Sequence, residues 1–239
     1  MIAHRRPARS LAVFLLALAA PAAADEPTKG PLLHPDGPGE GNVRLAAGAL
    51  LDILPRQLVE AEQRHFPRVT AAARWGVPYG FALGMHGSSS YTQNDLFYDF
   101  TWSFRLGSLS FALESHVGLF YGTVQNGGHD ATSWGLESQP GIAMGMRIAG
   151  SSRLTIGLRE IVLLGQYVKL GDARVVTRHH RSFAGAALAF TVESYVGKSD
   201  LLYYGVTIFR TAPDYQAWQA FSDSEARYPY PRFEVGYAF

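Results

Sequence analysis

Large apolar side chains recur at every second position over long stretches of this chain. Between Asp95 and Leu106, one face carries Leu96, Tyr98, Phe100, Trp102, Phe104 and Leu106, and the residues between them include Asp99, Thr101, Ser103 and Arg105. A period of two puts successive side chains on opposite faces, so this stretch predicts a β-strand with two unlike faces. Similar runs cover 43–54, 69–77, 79–86, 109–121, 140–148, 154–167, 183–196, 200–209 and 232–239.

The connections between these runs alternate in length. Short ones lie at 76–78, 107–108, 150–152 and 197–199, and longer ones at 88–94, 123–134, 170–181 and 211–231. Transmembrane β-barrels have this arrangement, with tight turns on the periplasmic side and longer loops outside. The pattern predicts an all-β fold, a closed antiparallel transmembrane β-barrel.

A water-soluble β-sandwich also has strands with two unlike faces, but three features favour the membrane barrel. The runs reach 9 to 12 residues, which is enough to cross a bilayer at a tilt near 45°. The polar face of a sandwich meets water, where Lys and Glu are expected, yet Lys is rare here. Trp75, Tyr79, Tyr91, Tyr121 and Tyr167 lie near strand ends, where barrels carry aromatic girdles.

Bacterial single-chain barrels have an even number of strands. Nine alternating runs lie between Val69 and Phe239, so a further strand is expected before them. A tenth strand can be supplied by Asn42 to Leu54, with a short helix following at 55–64, because Pro55 suits the first turn of a helix. The alternative is a helix or plug within 43–65 in a barrel of eight or twelve strands. Ten strands are our prediction.

The first residues predict export. Arg5, Arg6 and Arg9 precede an apolar run over 11–20, and Ala22-Ala23-Ala24 offers a cleavage site. These are the parts of a secretory signal peptide, so we expect a signal over 1–24, cleaved near Ala24. The next segment, 25–42, is rich in Pro and Gly and predicts a flexible linker, followed by the barrel domain over 43–239.

Composition excludes several classes of protein and site. The chain has no Cys, so disulfides and a lipid-anchored cysteine are excluded. Its formal net charge of +1 becomes slightly negative once the signal arginines are removed, which argues against a nucleic-acid partner. No nucleotide fingerprint or diagnostic metal-ligand spacing is present, and His129-Asp130 and His179-His180 read as loop polarity. We therefore expect neither a cofactor nor a metal.

The last eight residues, Arg232 to Phe239, place Phe233, Val235, Tyr237 and Phe239 on one face. This ending resembles the C-terminal assembly signal of Gram-negative outer-membrane β-barrel proteins. The resemblance implies an outer-membrane location, recognition by the barrel-assembly machinery, and outer-membrane lipid and lipopolysaccharide as surroundings. It identifies no subfamily and no oligomeric state.

The faces opposite the apolar ones predict a polar lumen. A salt-bridged interior and a solute path are both compatible with its charges. Many inward positions are Gly or Ala, so we expect a small hydrated lumen, with a porin-like or structural role and with binding or passage of a small solute. The predicted lumen charges are Arg68, Arg74, Asp99, Arg105, Glu114, His116, Arg147, Arg159, Glu193 and Glu234.

His86 and Ser88 raise an enzymatic alternative. Two residues apart, they share a strand face, and Asp99 or Glu114 could orient the histidine. Outer-membrane phospholipases and lipid A deacylases use a His-x-Ser pair near a strand end, so the alternative function is a lipid hydrolase. The resemblance covers three residues and lacks the Gly and Asn framework of those enzymes.

Glu160 conflicts with the alternation of its strand, since Leu154, Ile156 and Leu158 place it toward lipid. A lipid-facing carboxylate is costly. We expect a β-bulge at Arg159-Glu160 that turns Glu160 inward and Ile161 and Leu163 outward.

The terminal phenylalanine supports a prediction about assembly. Deletion of Phe239 should reduce insertion into the outer membrane more than it reduces the stability of the folded barrel. Heat-modifiable migration of the membrane fraction measures insertion, with Phe239→Tyr, which keeps a terminal aromatic ring, as the control. Normal amounts of folded barrel without Phe239 would contradict the prediction.

Overall fold

The structure, a computed structural model, describes residues 29–54, 67–90, 92–126, 129–170, 173–175, 183–211 and 227–239. Ten long antiparallel strands form a closed barrel, as predicted, and one three-residue strand, β8, extends β7 in a hairpin. The strands are β1 Val43–Asp52, β2 Arg68–Val77, β3 Phe81–Ser89, β4 Gln93–Leu106, β5 Leu109–Asn126, β6 His129–Ala149, β7 Ser152–Leu170, β8 Ala173–Val175, β9 Phe183–Val196, β10 Asp200–Thr211 and β11 Tyr228–Ala238.

Pairing of the first and last strands closes the barrel. β1 runs antiparallel to β11, with Gly48 opposite Gly236 and Ala46 opposite Ala238. Beyond the strand end, the backbone of Phe239 exchanges hydrogen bonds of 2.9 and 3.2 Å with that of Leu45. The predicted tenth strand is therefore β1, and closure leaves no unpaired edge between the two termini of the sheet.

The two ends of the barrel differ in their connections. The turns after β2, β4, β6 and β9 are two or three residues long, and we call this the short-turn end. The first of them is a 3-10 turn, Pro78–Gly80, in which Tyr79 adopts a φ of 64°. The opposite, long-loop end holds the connections that include 55–66, 176–182 and 212–226, which lie outside the described residues.

The outer face of the barrel is apolar, as the alternation predicted. Among the residues that the structure describes, no helix is long and apolar enough to span a membrane. Large side chains instead cover the outside of the strands, and their exposure would be costly in water but suits contact with lipid. They include Val43, Leu45, Val69, Leu83, Met85, Leu96, Tyr98, Phe100, Leu113, Leu119, Ile142, Leu158, Ile208, Phe233, Val235, Tyr237 and Phe239.

The strands β5, β6 and β7 are longer than the alternation indicated. They contain 18, 21 and 19 residues. The predicted long loop over 123–134 is wrong, because β5 and β6 stay paired up to Asn126 and His129. Trp134 and Tyr167 stack at 4.3 Å between ring centroids on this extension.

The expected bulge at Arg159-Glu160 is also wrong. Glu160 lies exposed on the outer face, whereas Ile161 and Leu163 are buried inside the barrel. The register between β6 and β7 shifts farther along, where Leu136 and Glu137 pair with Gly165 and Leu163 and skip Leu164. The alternation therefore continues through Glu160 and breaks only at Leu164.

The N-terminal segment, residues 29–42, differs from the flexible linker that its composition predicted. It lies inside the barrel at the short-turn end, with Leu32 and His34 each only 2% exposed. Glu40 forms a bridge with Gly76 of β2 just before β1 begins. The signal peptide over 1–24 and the helix at 55–64 fall outside the described residues.

The two faces of β10 support a prediction about stability. Ile208 faces outward and Thr207 faces the lumen. Ile208→Arg should lower the free energy of unfolding by about 2–4 kcal/mol, because it moves a charge into lipid. Thr207→Arg should cost less, because its charge enters a polar lumen. Denaturant titration of barrels refolded into lipid vesicles measures both, and equal losses would contradict this assignment of the faces.

Candidate functional site: the lumen

The N-terminal segment is held in the lumen by one carboxylate on the barrel wall. Glu193 of β9 is 1% exposed and accepts hydrogen bonds from the backbone N–H groups of Leu32, Leu33 and His34, at 2.8, 2.9 and 2.7 Å. Three backbone donors converging on one buried carboxylate form a strong, specific anchor. These partners lie about 160 positions apart in the sequence.

Arginines fix both ends of the segment. Arg44, fully buried, donates to the carbonyl oxygens of Lys29 and Gly30 at 2.9 and 2.7 Å, and also to that of Ser199. At the far side, Arg105 holds Asp36 through two hydrogen bonds of 2.8 and 2.6 Å, and Arg153 adds a third at 3.1 Å.

The ionisation of the segment follows from these contacts. Burial raises the pKa of the Asp36 carboxyl, but hydrogen bonds from Arg105 and Ser110 outweigh burial and lower the pKa to about 2. Burial lowers the pKa of His34 to about 4. At neutral pH the segment therefore presents an ionised carboxylate to the arginines and a neutral imidazole to the barrel interior.

Two glycines of the wall make room for the segment. A Cβ atom at Gly76 would overlap the backbone of Gly39, and one at Gly145 would overlap the His34 ring. At this end of the barrel, the small inward residues of the wall therefore make room for the N-terminal segment and do not leave open space.

A polar cavity lies beyond the segment. It has a volume of about 170 Å³, with Leu32 and Leu33 at the segment side. Its wall carries titratable groups from six strands: Arg74, His86, Asp95, Asp99, Glu114, His116, Arg159, Arg232 and Glu234. A site of this kind can hold water, ions or a small polar solute.

Two histidines share one carboxylate in this cavity. His86 Nδ1 lies 2.8 Å from Asp99 Oδ2, and His116 Nδ1 lies 2.5 Å from Asp99 Oδ1. The ring of His86 stacks on buried Phe97, with centroids 5.1 Å apart and planes 11° apart. Packing on one side and the carboxylate on the other therefore fix the orientation of His86.

Glu114 lies beside this group. Its Oε2 is 3.6 Å from His116 Nε2 and 3.5 Å from Arg159 Nε, which is too long for a normal hydrogen bond in either case. All three atoms are buried without a hydrogen-bond partner. Buried polar atoms are normally paired with protein or with ordered water, so these three atoms can bind water or a polar ligand in the cavity.

A separate ion-pair network lies farther toward the long-loop end. Arg68 donates to Asp52 at 2.6 Å and also to Asp95, and Arg232 donates to Asp52 at 2.7 Å. Ser88 belongs to this network, since its hydroxyl donates to Asp95 Oδ2 at 2.8 Å. The two arginines and two aspartates balance one another in charge.

An apolar cluster adjoins the polar lumen toward the long-loop end. Its members face inward from five strands and from a position two residues after β1, and they are Leu54, Phe120, Ile161, Leu163, Ala184, Ala187, Phe209 and Tyr230. The Phe209 and Tyr230 rings stack at 5.1 Å. The described lumen is thus polar in its middle and partly apolar toward the long-loop end.

Most of the predicted lumen charges face inward. Arg68, Glu114, His116 and Glu193 are buried, and Arg74, Asp99, Arg159 and Glu234 are partly buried. Arg105 and Arg147 are exposed at the short-turn end, where Arg105 reaches back to Asp36.

Sequence reasoning missed other lumen residues: His34, Asp36, Arg44, Asp52, Asp95, Arg153 and Arg232. The alternation itself could have found four of them, since Arg44, Asp52, Asp95 and Arg232 occupy the polar face of runs that were recognised. His34 and Asp36 precede the first strand, so no pattern assigns them a face.

Comparison with known proteins adds a likeness of fold. No family model matches the chain, and no curated protein matches it. Among solved structures, the NanC porin is 6% identical with a TM-score of 0.42, covering 83% of this chain and 99% of that one. OmpT of Vibrio cholerae is 8% identical, with a TM-score of 0.30 and coverages of 83% and 96%. The CymD monoaromatic hydrocarbon channel is 9% identical, with a TM-score of 0.33 and coverages of 87% and 91%.

Proposed function

We propose that this protein is an outer-membrane β-barrel that binds a small polar solute in its lumen and passes it only when the N-terminal segment moves. The apolar outer face supports the membrane location, because exposing so much apolar surface to water would be unfavourable. An even number of strands, with both ends of the sheet at the short-turn end, supports placing that end in the periplasm.

The enclosed polar cavity carries this proposal. Its volume of about 170 Å³ is below the roughly 300–1,000 Å³ of pockets for drug-sized ligands, so it suits an ion or a small solute. Arg74, Arg159, Glu114 and Glu234 present charge of both signs to it. A purely structural interior would pair its polar atoms, whereas Arg74 Nη2 and Glu114 Oε2 are buried and unpaired.

The N-terminal segment is the element that would gate passage. It occupies the short-turn end through hydrogen bonds, ion pairs and the apolar packing of Leu32 and Leu33, and the chain has no cysteine that could link it covalently to the wall. Each of its two main anchors is a single side chain of the wall, that of Glu193 or that of Arg44. A barrel of ten strands is also narrower than the 16–18 strands of open porins, so a wide permanent pore is not expected.

The hydrolase alternative receives no support from the contacts of its residues. Ser88 Oγ donates to Asp95, and the Nδ1 atom of His86 faces Asp99. Activation of a serine requires a hydrogen bond between the nucleophile and its base, and the contacts of the described residues contain none between Ser88 and His86. Both side chains also line the lumen, away from lipid.

Conductance of the refolded protein in a planar bilayer tests the proposed gate. We expect the wild type to show small or rare openings. Glu193→Ala should raise the open fraction about tenfold or more, because it removes three hydrogen bonds to the segment, each contributing about 0.5–1.5 kcal/mol. Glu234→Ala removes another lumen carboxylate that does not bond to the segment, and serves as the matched control.

Two results would count against this function. Large, steady conductance of the wild type would mean that the segment does not close the barrel. An unchanged, closed state in Glu193→Ala, with the folded barrel verified by heat-modifiable migration, would favour a sealed structural barrel.

A further inference from the structure

We propose that His86, Asp99 and His116 form a binding site for a divalent transition-metal ion of the zinc type. The three residues lie on consecutive strands, β3, β4 and β5. Asp99 is directly opposite His116 in the register, and His86 is one pleat from Asp99, whose partner on β3 is Gly84. This placement brings two imidazoles and one carboxylate together on the barrel wall.

The donor atoms have suitable identity and spacing. Two histidines and one carboxylate form a common ligand set for zinc and related ions. One donor atom from each residue lies within 4.8 Å of the others. Ligand atoms around a tetrahedral zinc ion stand about 3.4 Å apart, given bonds of about 2.1 Å. The present separations of 2.5 and 2.8 Å would therefore open by less than about 1 Å.

The unpaired atoms beside the cluster supply an independent observation. His116 Nε2 lies 3.6 Å from Glu114 Oε2, and both atoms are buried without a hydrogen-bond partner among the described residues. Metal binding at Nδ1 moves the ring proton to Nε2, which can then donate to Glu114. Glu114 is thus placed as the outer carboxylate that orients a metal-bound histidine.

The charge of the cavity is compatible with a cation. Arg68 pairs with Asp95, and Arg232 pairs with Asp52. The remaining charged groups of the cavity wall are the guanidinium groups of Arg74 and Arg159 and three carboxylates, on Asp99, Glu114 and Glu234. The carboxylates outnumber the guanidinium groups, and the neighbouring cavity has room for a water molecule as a fourth ligand.

This inference goes beyond solute passage and does not depend on it. The site belongs to the wall, so a sealed barrel could bind metal and a conducting barrel could fail to bind it. Binding is therefore measured on the full-length protein refolded in detergent, with conductance recorded separately.

Metal titration is the first test. After treatment with EDTA and its removal, wild-type protein is titrated with Zn²⁺ in competition with a chromophoric chelator. We expect one equivalent of Zn²⁺ to bind per chain. Titration with Co²⁺ should give the visible absorption of a tetrahedral or five-coordinate ion with nitrogen and oxygen ligands.

Variants locate the site. His116→Gln and Asp99→Asn should each weaken Zn²⁺ binding by about 100-fold or more, since changes in outer-shell partners alone cost about 10–100-fold. Glu114→Gln should weaken it by about 10-fold. The matched control replaces His129, His179 and His180 together with Asn, which removes histidines outside the proposed site and should leave the affinity unchanged.

The outcomes separate the alternatives. Loss of binding in the His129/His179/His180 variant, or unchanged binding in a folded His116→Gln variant, would overturn the proposed location. Absence of stoichiometric Zn²⁺ and Co²⁺ binding by the wild type would overturn the metal site even if every lumen variant failed to fold, and would assign the cluster to a proton-sharing network.

Discussion

The fold depends on the pairing of every backbone polar group of the membrane-facing wall. Lipid offers no hydrogen bonds, so a sheet can cross it only when the sheet closes on itself. Here β1 and β11 complete that closure, and Phe239 extends the pairing past the strand end to Leu45. Closure brings both ends of the sheet to the short-turn end, which allows the residues before β1 to turn into the lumen.

The interior of the closed barrel is filled by two parts of the chain, the side chains of the wall and the N-terminal segment. Wall residues contribute ion pairs such as Arg68–Asp95, which replace the hydrophobic core of a soluble protein. The N-terminal segment contributes apolar and backbone groups, with Leu32 buried and its N–H bound to Glu193. Small inward residues such as Gly145 are what allow this second source, because larger side chains there would exclude His34.

The sequence predicted what depends on local alternation. Strand faces, the number of strands and the outward aromatic residues followed from the period of two and from connection lengths. Ile161 and Leu163 were misassigned, because an outward Glu160 conflicts with a general rule while the actual irregularity at Leu164 has no local signal. The lumen segment was misread as a linker, because Pro and Gly also suit a packed loop whose partner, Glu193, is remote in sequence.

The wall and the segment are held by different interactions, and the proposed binding and gating would be coupled through this difference. His86, Asp99 and His116 lie on strands joined by continuous backbone ladders, so their geometry persists whether or not the segment is present. Arg74 contacts both parts, since it donates to the carbonyl oxygen of Leu32 and lines the cavity with Glu114. A ligand that draws Arg74 toward the cavity weakens its hold on the segment. By thermodynamic linkage, departure of the segment then favours that ligand to the same degree.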